Sequence, residues 1–239
     1  MVLLYIATGC AAAPVAVVLY YVPLFFQFTR GDNALDAAVR LLPFICVYIF
    51  SVMFAGALLP RFGRYAPWYT AAGALIIVGG ALMFTVDVST TKEQIYGYEV
   101  IIAVGTGIAF QNAYAVAATK VKNEDKANAI GFINVGQIGT IAIALSLSAS
   151  LFQNLGFSAL KDALGPLGVP DDLIRAALAG TGSSMLQLAG PQITRLAIDA
   201  VADTIAKLFA IVFSSGAVLF VASFLLRWEK VKLELTAGG

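Results

Sequence analysis

Apolar and polar positions alternate along this chain on the scale of whole helices. Long apolar stretches cover Val2–Gln27, Leu41–Leu59, Ala66–Val86, Tyr96–Ala118, Ala129–Phe152 and Ile205–Leu226. Each is close to or above the ~20 residues that cross a hydrocarbon core as one helix. The second and third contain no Lys, Arg, Asp or Glu. The pattern predicts an all-α, polytopic membrane protein with six transmembrane helices. The polar segments between the stretches are short, with one exception. Residues 153–204 form a connector that still repeats at helical spacing: Phe157–Leu164 and Asp171–Ala179 are amphipathic, with Asp171 an N-cap after Pro170. Gly180-Thr181-Gly182-Ser183-Ser184 reads as a flexible break. After Pro191, Ile193, Leu196, Ala197, Ala200 and Val201 repeat again. This connector is expected to lie on the membrane surface or to cap the bundle.

Within the stretches, the breakers carry meaning. Pro14 and Pro23 should kink the first span. The first stretch has no basic leader and runs past a signal-peptide core, so it reads as a spanning helix. Its end, Tyr20-Tyr21-Val22-Pro23-Leu24-Phe25-Phe26-Gln27, is aromatic and amphipathic, and serves either an interfacial belt or a cavity wall. In the fourth, Gly105 and Gly107 give a G-x-G without the third glycine or a preceding strand, so helix contact explains them better than nucleotide binding. Gln111 and Asn112 form an amide pair deep in that span. They must find partners or line a wet cavity. Asn134 and Gln137, three residues apart, share one face of the fifth span.

Composition narrows the reading. The chain is 60% hydrophobic and 12% charged, against ~25% charged in soluble domains. The net charge of +1 argues against a nucleic-acid partner. Histidine is absent, which removes His-dependent catalysis and His-containing zinc sites. No cofactor is implied, and the chain does not read as an enzyme. Cys10 and Cys46 both fall in apolar runs and read as buried thiols rather than a disulfide. Lys and Arg set the orientation. With both termini cytoplasmic, the inner pieces carry Arg61, Arg64, Lys120, Lys122, Lys126, Arg227, Lys230 and Lys232. The short outer connectors carry only Arg30, Arg40 and Lys92. That bias follows the positive-inside rule.

The stretch Gly56-Ala57-Leu58-Leu59-Pro60-Arg61-Phe62-Gly63-Arg64 joins the second and third spans. Gly56 would let two helices approach closely, and Gly63 would allow a positive φ in the tight turn. This G-x-L-x-x-R-F-G-R resembles the loop signature of the major facilitator superfamily, with Pro60 where the family usually has an acidic residue. That departure favours the weaker, C-terminal copy of the loop. Two further stretches, Y-Y-x-P-L-F-F-Q at 20–27 and G-D-x-A-L-x-A-A-V-R-L-L-P at 31–43, resemble the fourteen-helix branch of fungal drug:proton antiporters. The resemblance covers nearly the whole chain. It implies the C-terminal six-helix half of a proton-coupled efflux transporter for small hydrophobic or amphipathic compounds, working by alternating access.

On that resemblance, Tyr20, Tyr21, Gln27, Gln111, Asn112, Asn134 and Gln137 are the candidate cavity residues. Gly56, Arg61, Gly63 and Arg64 form the cytoplasmic loop motif. Asp87, Glu99, Asp199 and Asp203 are the carboxylates near a span. All four are expected near the outer surface; Glu99 is the deepest and is the proton-coupling candidate, set against a plain rim carboxylate. Expected partners are membrane lipid, a small-molecule substrate and either a missing N-terminal half or a second copy. The expected location is the plasma membrane, with the vacuolar membrane as the alternative. A different function also stands: a non-transporting half-length protein or a partner subunit of a transporter. An in-frame six- or eight-span segment upstream of Met1 would decide for the transporter.

Overall fold

The structure, a computed structural model, describes residues 1–178 and 190–226. Ten α-helices occur among them: α1 (Val2–Arg30), α2 (Ala34–Val39), α3 (Leu42–Phe62), α4 (Ala66–Phe84), α5 (Lys92–Phe110), α6 (Asn112–Thr119), α7 (Lys126–Leu164), α8 (Asp171–Leu178), α9 (Pro191–Leu208) and α10 (Ala210–Leu225). Six helical stretches are long and apolar enough to cross a membrane. The fold is all-α and polytopic. The basic tail from Arg227 and the break at Gly180–Ser184 lie outside the described residues.

Local chemistry sets the turns. Gly63 ends α3 at φ +64°, a conformation a side chain disfavours, and its N–H returns 2.9 Å to the Leu59 carbonyl. Asn33 caps α2 by accepting from the Asp36 N–H at 2.9 Å. Thr91 and Gln94 form a reciprocal capping box that starts α5 at Lys92. That start is one turn earlier than the apolar pattern suggests.

The most extensive contact joins α4 to α10; α3 and α4 both pack on α5, and α1 packs on α7 and α10. Glycine permits the α4–α10 approach. A Cβ at Gly73 would sit 2.7 Å from the Phe220 backbone, and one at Gly80 would sit 2.7 Å from the Phe213 nitrogen. Without a hydrophobic drive between helices in lipid, such backbone closeness supplies the dispersion contact. Gly56 does not share this role. It is exposed with open space around it; the close approach to α3 is made by Gly107 of α5, where a Cβ would sit 2.6 Å from Ser51. The turns α1–α2 and α4–α5 lie at one end of the bundle, termed distal; the α3–α4 turn marks the proximal end.

α1 is one continuous helix that holds both Pro14 and Pro23. Elsewhere the helices outrun the apolar stretches. The fifth span does not stop at Phe152: α7 is a single helix of 39 residues to Leu164. Leu160 and Leu164 are buried, as are Ile174 of α8 and Ala197 and Val201 of α9, and α9 packs on α7. Of the two places expected for the connector, the membrane surface or a cap on the bundle, this packing fits the cap. The sixth span likewise begins earlier, because α9 and α10 are separated only by Phe209, whose N–H still bonds the Ala206 carbonyl at 3.1 Å.

Candidate functional site

Most of the candidate polar residues converge on one junction of α1, α5, α6 and α7. The fourth span breaks at Gln111 into α5 and α6. The carbonyl of Phe110, last in α5, accepts from the Gln137 amide at 2.8 Å. The same nitrogen donates to Thr8 Oγ on α1 at 2.9 Å. Gln137 Oε1 accepts from the Tyr114 hydroxyl at 2.6 Å, and Asn134 Oδ1 lies 3.3 Å from that hydroxyl. Gln137 is buried and satisfied on both ends; Asn134 is exposed beside it. Tyr114, three residues along from Gln111, ties the junction together and escapes sequence reading because an aromatic in an apolar helix gives no signal of its own.

The amide pair of the fourth span separates. Gln111 is exposed at the break, whereas Asn112 is buried and its side chain donates back to the Ile108 carbonyl. Asn112, first in α6, thereby ties that helix back to the last turn of α5. The tyrosines separate too. Tyr21 is buried, its ring 5.8 Å from that of Phe152, while Tyr20 is exposed. Both line a cleft of ≈ 260 Å³ with Leu24, Phe28, Phe152 and Leu178. Gln27 lies elsewhere, in a second distal cleft under α9 with Thr29, Ala177, Ala197 and Val201. The structure thus splits the seven cavity candidates between a polar junction and two distal clefts.

Glu99 corrects the rim expectation. It is fully buried, and neither carboxyl oxygen has a hydrogen-bond partner among the described residues. It lies on the stripe Ile95–Glu99–Ile102 of α5, all three at 0% exposure. Because α5 starts at Lys92, Glu99 stands two turns inside the helix, roughly 10 Å from its start. Intramembrane carboxylates are costly and mark pathways for ions or protons.

A charged cluster sits at the distal end. Arg40, capping α2, grips both oxygens of Asp32, with Nη2 at 3.1 Å from Oδ1. Its Nη1 donates to the Tyr96 hydroxyl at 3.0 Å, and its guanidinium stacks 4.7 Å from the Phe26 ring centroid. The Arg40 hydrogen bond holds the Asp32 carboxyl below the usual carboxylate range. Arg30 donates to the Thr90 carbonyl at 2.7 Å, fastening the end of α1 to the α4–α5 turn. At the proximal end, Arg61 and Arg64 are exposed in the α3–α4 turn.

The sequence profile of the Major Facilitator Superfamily matches residues 1–145. The chain is 34% identical over 95% of its length to "MFS-type transporter patC" of Penicillium expansum, covering 41% of that protein. It is similar to "Efflux pump patC" of Aspergillus clavatus, at 34% over 96% of the chain and 42% of the relative. It is also similar to "Efflux pump alnA" of Emericella nidulans, at 34% over 99% of the chain and 42% of the relative. The chain therefore spans about two fifths of the length of the curated relatives it matches.

Proposed function

This chain belongs to the major facilitator superfamily, and from that premise we propose that it is the C-terminal six-helix half of a secondary transporter that exports small hydrophobic or amphipathic compounds in exchange for protons. It is an integral membrane protein of a transporter family, not an enzyme. The single observation that supports proton exchange is Glu99: a carboxylate buried in a spanning helix with no partner for either oxygen among the described residues. An ionised group there costs several kcal/mol, whereas a proton removes the charge. A residue that holds a proton in the bundle and gives it up on the opposite side is what proton-driven export requires.

The substrate reading rests on the junction and on the clefts. Gln111 and Asn134 are exposed amides next to Tyr114, suited to orient a neutral polar group, while Tyr20 presents an aromatic face in the distal cleft. Alternating access needs a second bundle that rocks against the first. The least buried spans are those of α3 and α7, and their open faces take the complementary half, or a second copy, in this reading. The Lys and Arg bias of the short loops supports a cytosolic proximal end and cytosolic termini in this reading.

The test is transport by the assembly of this chain with its complementary half, in liposomes bearing a pH gradient and loaded with a panel of fluorescent amphipathic dyes. Wild type accumulates dye against its gradient when protons flow the other way. Glu99→Gln still exchanges dye downhill but loses the pH drive. Uphill export untouched by Glu99→Gln would overturn proton coupling through this residue. A monodisperse monomer of residues 1–239 that moves dye uphill would overturn the half-transporter reading.

A further inference from the structure

The hydrogen bonds around Gln137 fix the direction in which each proton points. The Phe110 carbonyl can only accept, so Gln137 turns its nitrogen to it, at 2.8 Å, and the same nitrogen donates to Thr8 Oγ at 2.9 Å. Gln137 Oε1 is then the acceptor on the other side, and the Tyr114 hydroxyl donates to it at 2.6 Å. A phenol has a single proton to give. That of Tyr114 is spent on Gln137, so its oxygen faces Asn134 as an acceptor alone. One backbone carbonyl, at the break in the fourth span, thus sets the polarity of a tyrosine two hydrogen bonds away.

The Asn134 amide beside it, with Oδ1 at 3.3 Å, is exposed and can turn over about its last bond. With Oδ1 towards the phenol, two acceptors stand side by side with no proton between them. With the nitrogen towards it, one N–H is spent on the phenol and Oδ1 is left open. In either position a ligand hydroxyl, which both donates and accepts, makes one hydrogen bond more than an ether of the same shape. The surroundings favour a neutral ligand. α1, α3 and α6 carry no carboxylate, α7 carries one only near its far end, at Asp162, and Glu99 lies roughly 16 Å along α5 from Phe110. An ammonium group would find no counter-charge at this depth. Apolar contact is at hand: Tyr48 meets the Phe110 ring edge-on at 5.9 Å and stacks on Phe44 at 6.0 Å.

We propose that Tyr114 is a specificity-determining residue of this junction: its oxygen, held as an acceptor by Gln137, takes the hydroxyl proton of a neutral alcohol or phenol carried on an apolar body. The inference rests on the substrate reading above and names a substrate class for it. Tyr114 touches the ligand, and Gln137 is the positioning residue behind it. Asn134 follows the ligand, turning its amide to whichever group the bound hydroxyl leaves open. A compound whose hydroxyl is capped keeps its apolar contacts and loses the bond to Tyr114, and a site built to hydrogen-bond a hydroxyl discriminates against the analogue without it.

The experiment is titration calorimetry on the assembly of this chain with its complementary half, in lipid nanodiscs and against empty nanodiscs. The two probes are anthracenemethanol and its methyl ether. Wild type binds the alcohol about five- to tenfold more tightly than the ether. Tyr114→Phe weakens the alcohol to the level of the ether and leaves the ether unchanged. Asn134→Ala weakens both alike and keeps the ratio. A ratio near one in wild type overturns the selection, as does a ratio that survives Tyr114→Phe. A ratio lost in Asn134→Ala alone assigns the acceptor to the amide and overturns the role of Tyr114. Binding of neither probe overturns the site. Dye export is scored separately on the same assembly. The ratio intact without export overturns the transporter reading; export intact without the ratio overturns this inference alone. Where Tyr114→Phe does not fold, judged by thermal melting, fluorotyrosine incorporated in place of Tyr114 keeps the hydroxyl. Its fluorine resonance then shifts with the alcohol and not with the ether, and equal shifts overturn the inference.

Discussion

Gln137 on α7 donates to the carbonyl of Phe110 on α5 at 2.8 Å, filling the place that the Tyr114 N–H would take in an unbroken helix. The Tyr114 N–H turns to the Gln111 carbonyl instead, at 3.3 Å. A side chain from one span therefore accounts for the break in another. Gln137→Leu leaves the Phe110 carbonyl and the Thr8 hydroxyl without that partner. It should lower stability by about 1–3 kcal/mol, read as a drop in detergent melting temperature. Asn134→Ala, exposed and dispensable to Gln137, should stay within about 0.5 kcal/mol. Equal effects of the two would remove Gln137 from its central place.

Glycine substitutions separate the two kinds of glycine in this bundle. Gly73→Ala places a methyl 2.7 Å from the Phe220 backbone, where nothing flexible can yield. A loss of about 1–3 kcal/mol is expected. Gly131→Ala and Gly139→Ala meet open space, so the gain in helix propensity should leave them neutral or up to about 1 kcal/mol more stable. Thermal melts of the three variants in one detergent check the order.

Acid should loosen the α4–α5 turn before the bundle. Asp87 accepts from the backbone N–H and hydroxyl of both Ser89 and Thr90, at 2.7–2.9 Å. The Ser89 hydrogen bond comes first among the causes that hold its carboxyl below the usual range. The sign follows: a lowered folded value gives stability that is present above the unfolded value of about 3.9 and is lost as pH falls through the lowered one. Amide exchange at Ser89 and Thr90, corrected for its intrinsic pH dependence, should stay protected near neutrality and rise below about pH 4. Asp87→Asn should flatten that rise.

Orientation is open to chemical labelling. Single cysteines placed across Arg61–Arg64 and Lys120–Lys126, in a background lacking Cys10 and Cys46, should react with an impermeant maleimide only once the cytosolic face is opened. Reaction of both segments in sealed cells would invert the assignment.

The sequence carries the bundle plainly and the site unevenly, for physical reasons. Apolar run length and charge-free spans are set by the bilayer, so the six spans are legible from composition. The tight turn is legible because a positive φ selects glycine at 63. The pairing of Asn134 and Gln137 on one face follows from helical spacing, and Tyr114 joins both in the structure. Burial is harder. Glu99 reads as a rim residue because the apolar run starts at Tyr96, whereas the Thr91–Gln94 capping box starts the helix at Lys92 and draws the carboxylate inside. Gln111 and Asn112 read as a pair, yet neighbours on a helix point about 100° apart. The long connector reads as either surface-lying or capping the bundle, because its apolar faces have no visible partner in one dimension. α7 and α9 supply that partner to each other.

The length of α7 has a practical consequence. Its 39 residues measure about 58 Å, while a bilayer with its headgroups is about 40–45 Å thick. Upright, with its first residue at the proximal headgroup surface, the helix projects roughly 15 Å beyond the lipid on the distal side. The projecting post is braced by Lys161 on Asp171 at 2.8 Å and by Arg175 over the Phe157 ring at 4.2 Å. That post is a structured epitope above the headgroups, so a conformation-sensitive antibody fragment can grip a protein whose remaining mass is sunk in lipid, and give electron microscopy a landmark by which to align it.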